Sequence, residues 1–300
     1  MKTILIAGAT GNIGAKIVKH LLSKPAKIRA VLRKQKNRSI IDDLIKKGVD
    51  VWEVDMMNLD EMTKACQNVD CVLSVLSGVR AVIMGTQKVL LDAAVAAGVP
   101  RFIPSDFSLD FRNFVMGDNR NLDLRKEFYA YVNTKPIKST SIFSGALIDL
   151  LKTDMPLILR KQKRILCWGN KNQKMEFTHT GDIAAFTADV CLDDTAPRHL
   201  FIAGSVLSCN DFVGLLSEIT GTPYKLLRPG GIGLLNFFIK MAKTFAPGKD
   251  ELYPAWQGMQ YMRDMMEGRV ELQNSYSNNR YDLVRFKSVK DFLTEDNWAS

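Results

Sequence analysis

Histidine is scarce in this chain, with three among 300 residues. No CxxC pair occurs, and Cys66, Cys71, Cys167, Cys191 and Cys209 make an odd set without zinc-ligand spacing. A zinc fold and a disulfide framework are therefore excluded as organising principles, and no metal is expected. The thiols read as reduced and partly buried, as in a cytoplasmic protein. Apolar runs are short: "GIGLLNFFI" at 231–239 is among the longest. None can span a bilayer, so no membrane partner is expected. The first residues enter a strand-like run with no charged and apolar leader, which also predicts a cytoplasmic location. Repeats and low-complexity tracts are missing. The 46% hydrophobic content is ample for a sizeable core. The formal net charge of +9 suits a polyanion, an anionic cofactor or an acidic ligand without choosing among them.

What is present is an alternation. "TILIAGA" reads as a buried strand and "AKIVKHLLSK" (15–24) as an amphipathic helix. Strands follow at 27–33, 49–55, 69–77 and 101–107, with helices at 39–48, 59–68 and 85–98. Strands alternating with helices across short joints predict an α/β fold with a Rossmann-type, doubly wound parallel sheet. A helix over 121–135, a sixth strand at 138–143, a helix at 181–193 and a seventh strand at 198–204 continue the pattern more loosely. Ser208 and Asp211 read as a capping box. Residues 1–155 are expected to form a dinucleotide-binding domain, with 178–205 returning to its sheet. Residues 156–177 and 206–300 are expected to form a smaller C-terminal substrate domain.

The joint between the first strand and first helix is "GATGNIG", Gly8 to Gly14. A helix N-terminus there offers unpaired N–H groups and partial positive charge to an anion. Gly8 permits a tight turn, Gly11 lets a pyrophosphate approach the backbone, and Gly14 lets the helix pack closely on the strand. The alternative is a plain glycine-rich turn. An NAD site places an acid near the end of the second strand, to bond the ribose 2′-hydroxyl. Here that segment reads "VLRKQKNR", with Arg33, Lys34, Lys36 and Arg38 and no acid. Arg33 can fork onto a 2′-phosphate, with Lys34 or Lys36 assisting, so NADP(H) is the expected cofactor. The alternative is a solvated basic loop.

"GATGNIG", Arg33, "VDVWEVDMMN", "VDCVLSVLS", "AAGVPRFIPSDF" and "DLRKEF" occur in an order that resembles the NmrA-like family of atypical short-chain dehydrogenases/reductases. That family includes isoflavone-reductase-like and phenylcoumaran-benzylic-ether-reductase-like enzymes. The resemblance is strong over 1–155 and continues through "FTHTGDIAAFTA" and "RYDLVRFKSVKDFL". It implies that Gly8, Thr10, Gly11, Asn12, Ile13 and Gly14 hold the pyrophosphate and Arg33 the 2′-phosphate. It places Asp55 and Met56 beside the adenine, and Ser77 and Gly78 near the nicotinamide half. Pro104, Ser105 and Phe107 match the family's "PSxF", with Asp106 where Glu is commoner. The family's reductases carry a catalytic lysine at the start of the helix after strand five. Lys126 is the candidate, although a gapless match to the next strand puts Arg125 there; neighbours on a helix point about 100° apart.

Other residues have competing readings. Tyr131 and Lys135 have the YxxxK spacing of ordinary short-chain dehydrogenases. Yet Lys135 lies about 13 Å along the helix from Lys126, away from the expected ligand edge. His179 reads as a packed or surface group. "LRKQKRI" at 159–165 reads as a solvated hairpin, and no nucleic-acid partner is expected. Met259, Met262 and Met266 line either an apolar pocket or the core. Two functions follow from the resemblance. One is an NADPH-dependent reductase of a small, apolar, aromatic or carbonyl-bearing substrate. The other is a catalytically silent NADP(H) redox sensor acting through a regulatory protein partner. A homodimer is compatible with both.

Overall fold

The computed structural model describes residues 1–34, 37–152, 155–248, 250–269 and 272–295. Its first half winds as β1 (Lys2–Ala7), α1 (Asn12–Leu22), β2 (Ala26–Arg33), α2 (Arg38–Lys46), β3 (Asp50–Val54), α3 (Leu59–Ala65), β4 (Cys71–Ser74), α4 (Gln87–Ala96), β5 (Arg101–Ile103), α5 (Arg120–Val132) and β6 (Lys138–Ser139). These six strands form one parallel sheet in the order β3-β2-β1-β4-β5-β6. The order reverses between β1 and β4, which opens a crevice at their carboxyl ends. Alternation along β1 feeds both faces. Ile4 and Ile6 pack with Ile17 of α1 and Leu44 of α2, whereas Leu5 and Ala7 pack with Met62 of α3, Leu90 of α4 and Phe128 of α5.

Two local departures from the expected pattern have physical reasons. A π-helical turn, Ala81–Thr86, precedes α4 and widens the backbone just beyond β4. The sixth strand is broken at Thr140, whose N–H still bonds the Phe102 carbonyl at 3.1 Å. Beyond the break lies β7 (Ser141–Phe143).

The remainder comprises β8 (Ala146–Leu147), β9 (Ile158–Leu159), β10 (Arg164–Leu166), β11 (Met175–Thr178), α6 (Thr180–Leu192), β12 (His199–Phe201), β13 (Ser205–Leu207), α7 (Cys209–Thr220), β14 (Lys225–Leu227), α8 (Ile232–Phe245), α9 (Ala255–Met266) and α10 (Val289–Thr294). β12 pairs parallel with β7, so the chain returns beside the main sheet, and α6 packs against α1. Two three-stranded sheets, β8-β11-β13 and β9-β10-β14, carry the rest. The Ser208–Asp211 capping box opens α7 as expected. Residues 159–165 do make a hairpin: β9 and β10 pair antiparallel. Met262, Met265 and Met266 are buried in one cluster with Phe177, Phe212 and Trp168. The methionine run is therefore core, with Met259 packed against it. All five cysteines are buried and free.

Candidate functional site

The glycine loop joins β1 to α1 at the switch point of the sheet. Gly8 has φ +95°, and a β-carbon there would lie 2.6 Å from the Val75 carbonyl oxygen, where β4 ends. A β-carbon on Gly14 would run into the Gly8 carbonyl. Both glycines are thus demanded by the fold itself. Gly11 is different. Its φ of −77° and ψ of 171° suit any residue. Its β-carbon would meet only the Gly8 oxygen, at an ordinary 3.4 Å. Gly11 is the N-cap of α1, no side chain caps that helix, and its first turn holds no acid. Thr10 is half-buried, Asn12 is exposed and Ile13 packs against the core.

The other positions selected from the sequence line the same carboxyl edge. Arg33 ends β2 and is exposed; its side chain makes no hydrogen bond or ion pair among the described residues. Lys34 is engaged instead, 2.7 Å from Glu61. Glu61 also accepts the Asp55 N–H at 2.8 Å, and the Lys34 ammonium holds its carboxyl below the usual range. Arg38 pairs with Asp42 and Glu53, and Lys36 lies outside the described residues. Asp55 follows β3, exposed, with its carboxylate accepting the Met57 N–H at 3.0 Å; Met56 is buried. Ser77 and Gly78 follow β4, and a β-carbon on Gly78 would strike the Val82 side chain.

Ser105 follows β5 and is buried. Its N–H donates to Gln87 Oε1 at 3.1 Å, and the same oxygen accepts Ser74 Oγ at 2.5 Å. Gln87 thereby clamps the ends of β4 and β5 together. No periodicity or motif marked it in the sequence. Asp106 points back beneath the edge, accepting Ser141 Oγ at 2.8 Å. Its other oxygen is buried with no partner among the described residues, and burial raises its carboxyl to about 6.

The start of α5 determines what faces the crevice. Arg125 is buried, its Nε donating to the Ser105 carbonyl at 3.2 Å and a terminal nitrogen to the Asn121 carbonyl at 3.1 Å. Lys126 is half-buried, with Nζ donating to the Phe114 carbonyl at 2.5 Å. Tyr131 and Lys135 share a different acceptor, Asp92 of α4: the hydroxyl lies 2.6 Å and the ammonium 2.7 Å from its carboxylate. That YxxxK pair is a structural tie between two helices. His179 caps no group at the head of α6, with Asp182 at 3.5 Å and Asp149 at 3.9 Å.

A cleft of about 550 Å³ opens beside this edge. Val79, Arg80 and Ala81 form one wall, Arg120, Asp123 and Leu124 of α5 another, and Met116 and Lys243 close it. Arg80 forks onto Glu127 at 2.9 and 2.6 Å, joining the loop after β4 to α5. Burial, followed by the Arg263 charge, holds the Lys243 ammonium below its usual range. Burial likewise raises the Asp123 carboxyl. Neither Arg125 nor Lys126 lines this cleft. Arg80, Arg120 and Lys243 carried no sequence signal: Arg80 reaches α5 through Glu127, and Lys243 arrives on α8, which packs against α9. The α5 N-terminus is latched there by buried side chains. Asn119 Nδ2 donates to Asp264 at 2.7 Å, and Gln257 Nε2 donates to Asn119 Oδ1 at 2.7 Å.

A parallel sheet with a glycine loop at its switch point, an exposed arginine ending its second strand and a cleft between the loop after β4 and α5 defines a Rossmann-type α/β protein. The NmrA-like family matches residues 1–228, and the chain belongs to it. An NmrA-like family domain-containing oxidoreductase of Gibberella moniliformis is 29% identical over 238 residues, 73% of this chain and 77% of that protein. Pinoresinol reductase 1 of Arabidopsis thaliana is 26% identical over 310 residues, spanning 97% of this chain and 95% of that one. The solved structure of AtPrR2 with NADP+ and (+)-pinoresinol superposes with a TM-score of 0.81 at 19% identity, covering 98% of both chains.

Proposed function

We propose that this protein is an NADPH-dependent reductase of a small, apolar, aromatic or carbonyl-bearing molecule. Gly11 carries the reading. Neither its backbone angles nor its neighbours require glycine, so the bare position is explained by something that must approach the backbone there. The uncapped, acid-free first turn of α1 suits the pyrophosphate. Arg33, exposed and unpartnered among the described residues, suits a 2′-phosphate. Thr10, Asn12, Ile13 and Gly14 would complete the phosphate cradle. Asp55 and Met56 would flank the adenine, and Ser77, Gly78 and Ser105 the other half. Residues 1–155 with 178–205 would form the NADP-binding unit; 156–177 and 206–300 would supply the substrate wall. Relatives that are reductases of pinoresinol support the reaction class.

NADPH supplies a hydride when bound. The chain must orient the acceptor in the cleft, exclude water and deliver a proton. Lys126 would manage that proton after leaving the Phe114 carbonyl. Arg125, fixed by two carbonyls, can hold an anion but does not exchange protons readily. That arrangement also favours the second reading, a silent NADP(H) sensor with a protein partner: no lysine of α5 stands free at the cleft. Calorimetry with NADPH and NADH, followed by NADPH oxidation against aryl ketones, aldehydes, quinones and benzylic ethers, separates the two. Turnover establishes the reductase. Tight cofactor binding without turnover, with a partner whose binding follows the NADP redox state, establishes the sensor.

A further inference from the structure

The apolar run too short to span a membrane is the start of α8, and the described residues leave an outer face of α8 largely exposed. Leu234, Phe237, Phe238, Met241 and Phe245 are 40%, 54%, 40%, 41% and 77% exposed. At 100° per residue they fall within an arc of about 100°. Three phenyl rings, a leucine and a methionine at these exposures present on the order of 500 Å² of apolar surface, large for a monomer. None of the five lines the cleft. The α8 residue that does is Lys243, which projects about 170° from the centre of the stripe. The stripe is therefore not the substrate wall; it faces outward. The buried side of α8, through Leu235 and Ile239, holds the helix to the core.

A basic surface adjoins it. Residues 155–175 hold six cations and no acid, and 221–248 hold four and none. Together these segments carry +10, against +9 for the whole chain, so they account for the entire excess charge. They are also one structural neighbourhood. β10 pairs with β14, Arg164 opposite Lys225, and α8 follows β14 directly. Trp168, just beyond β10, meets Phe238 edge-on at 6.1 Å between ring centroids. Lys161 and Lys163 in the hairpin, Lys225 on β14 and Lys240 on α8 are exposed and make no ion pair among the described residues.

We propose that this face docks on the surface of an anionic phospholipid bilayer. The α8 stripe enters the boundary between headgroups and acyl chains, and the hairpin and β14 cations meet the anionic headgroups. A second copy of the chain fits less well, because pairing α8 with itself would bring two acid-free cationic segments together. A nucleic acid would answer the cations but leave five apolar side chains in water.

The test is cosedimentation of the full chain with vesicles of phosphatidylcholine alone or mixed with phosphatidylserine, at low and high salt. Binding to the mixed vesicles should be at least about tenfold tighter than to phosphatidylcholine alone and should weaken with salt. Lys161→Glu with Lys163→Glu should cost about tenfold or more on mixed vesicles only. Phe237→Ser with Phe245→Ser should cost at least about tenfold on both. All four positions are exposed, and thermal melts confirm that each variant folds. No binding to mixed vesicles, equal binding to both kinds, or indifference to both pairs of substitutions overturns the proposal. So does a dimer in sedimentation velocity that Phe237→Ser dissolves while vesicles stay bare, or retention of duplex DNA in their place.

Discussion

Replacing Gly11 and Gly14 separately by alanine should produce opposite failures. At Gly14 the new methyl group meets the Gly8 carbonyl, part of the backbone that closes the β1–α1 turn. Neither side can move without shifting a strand or a helix, so the expected cost is that of overpacking, about 1–3 kcal/mol. For a chain of this size that lowers the melting temperature by roughly 2–5 °C. At Gly11 the methyl group has 3.4 Å to its one neighbour, and the backbone already lies in the extended region. Stability should change by less than about 0.5 kcal/mol, as at an unremarkable surface site. The methyl group would stand where the dinucleotide's phosphates must reach the backbone. Losing two charge-assisted N–H bonds, at about 1.5–3 kcal/mol each, weakens NADPH binding by about 10²–10⁴-fold. Thermal melts and calorimetric titration of both variants provide the comparison. Normal NADPH affinity in Gly11→Ala would refute the placement of the cofactor. A Gly11→Ala protein that melts as low as Gly14→Ala would refute the argument that the fold leaves Gly11 free.

Arg33→Asp should erase or reverse a preference for NADPH over NADH of at least about tenfold; equal wild-type affinities for the two cofactors would end the 2′-phosphate assignment. Lys126→Ala should lower turnover about 10²–10⁴-fold with NADPH affinity kept, while Lys135→Ala, which removes an Asp92 ion pair far from the cleft, should not. A large loss in Arg125→Ala with Lys126→Ala silent would move the active position by one residue. A pH effect is also expected from a partly buried polar cluster. His199 bonds Tyr129 at 2.8 Å and is held down to about 4, by burial and then by Arg112 and Arg198. Its neutral form is favoured in the fold, so its contribution is complete above about 6.5 and lost as pH falls toward 4. Asp106, raised from 3.8 to about 6, has the opposite slope: its contribution is complete below 3.8 and lost as pH rises through 6. Each is worth on the order of 3 kcal/mol, so they oppose one another across their shared window. Asp106→Asn should therefore gain stability relative to wild type at pH 7 and steepen its loss on acidification. A difference in melting temperature that stays constant with pH would contradict this.

The sequence alone was sufficient wherever the fold is written in local backbone chemistry. Strand-helix alternation, the glycine spacing at residues 8–14 and the absence of an acid after β2 are short-range features, and each constrains its own segment before any tertiary contact forms. Tertiary structure decided the rest. The spacing of Gly8, Gly11 and Gly14 suggests three different roles, and the structure shows that carbonyls at the turn and at the end of β4 require two of them and leave the third free. Arg33 and Lys34 are adjacent, and only the position of Glu61 on α3 determines which stays unpaired. Lys126 and Arg125 differ by one register step, but what each touches depends on the loop carbonyls of Phe114 and Ser105. The cleft is the extreme case: Lys243 lines it with Arg120 and Arg80 across long stretches of chain, because α9 is tied to the head of α5 and α8 packs on α9. No pattern within a segment encodes such a meeting, since it follows from which buried faces pair rather than from which residues are neighbours in the chain.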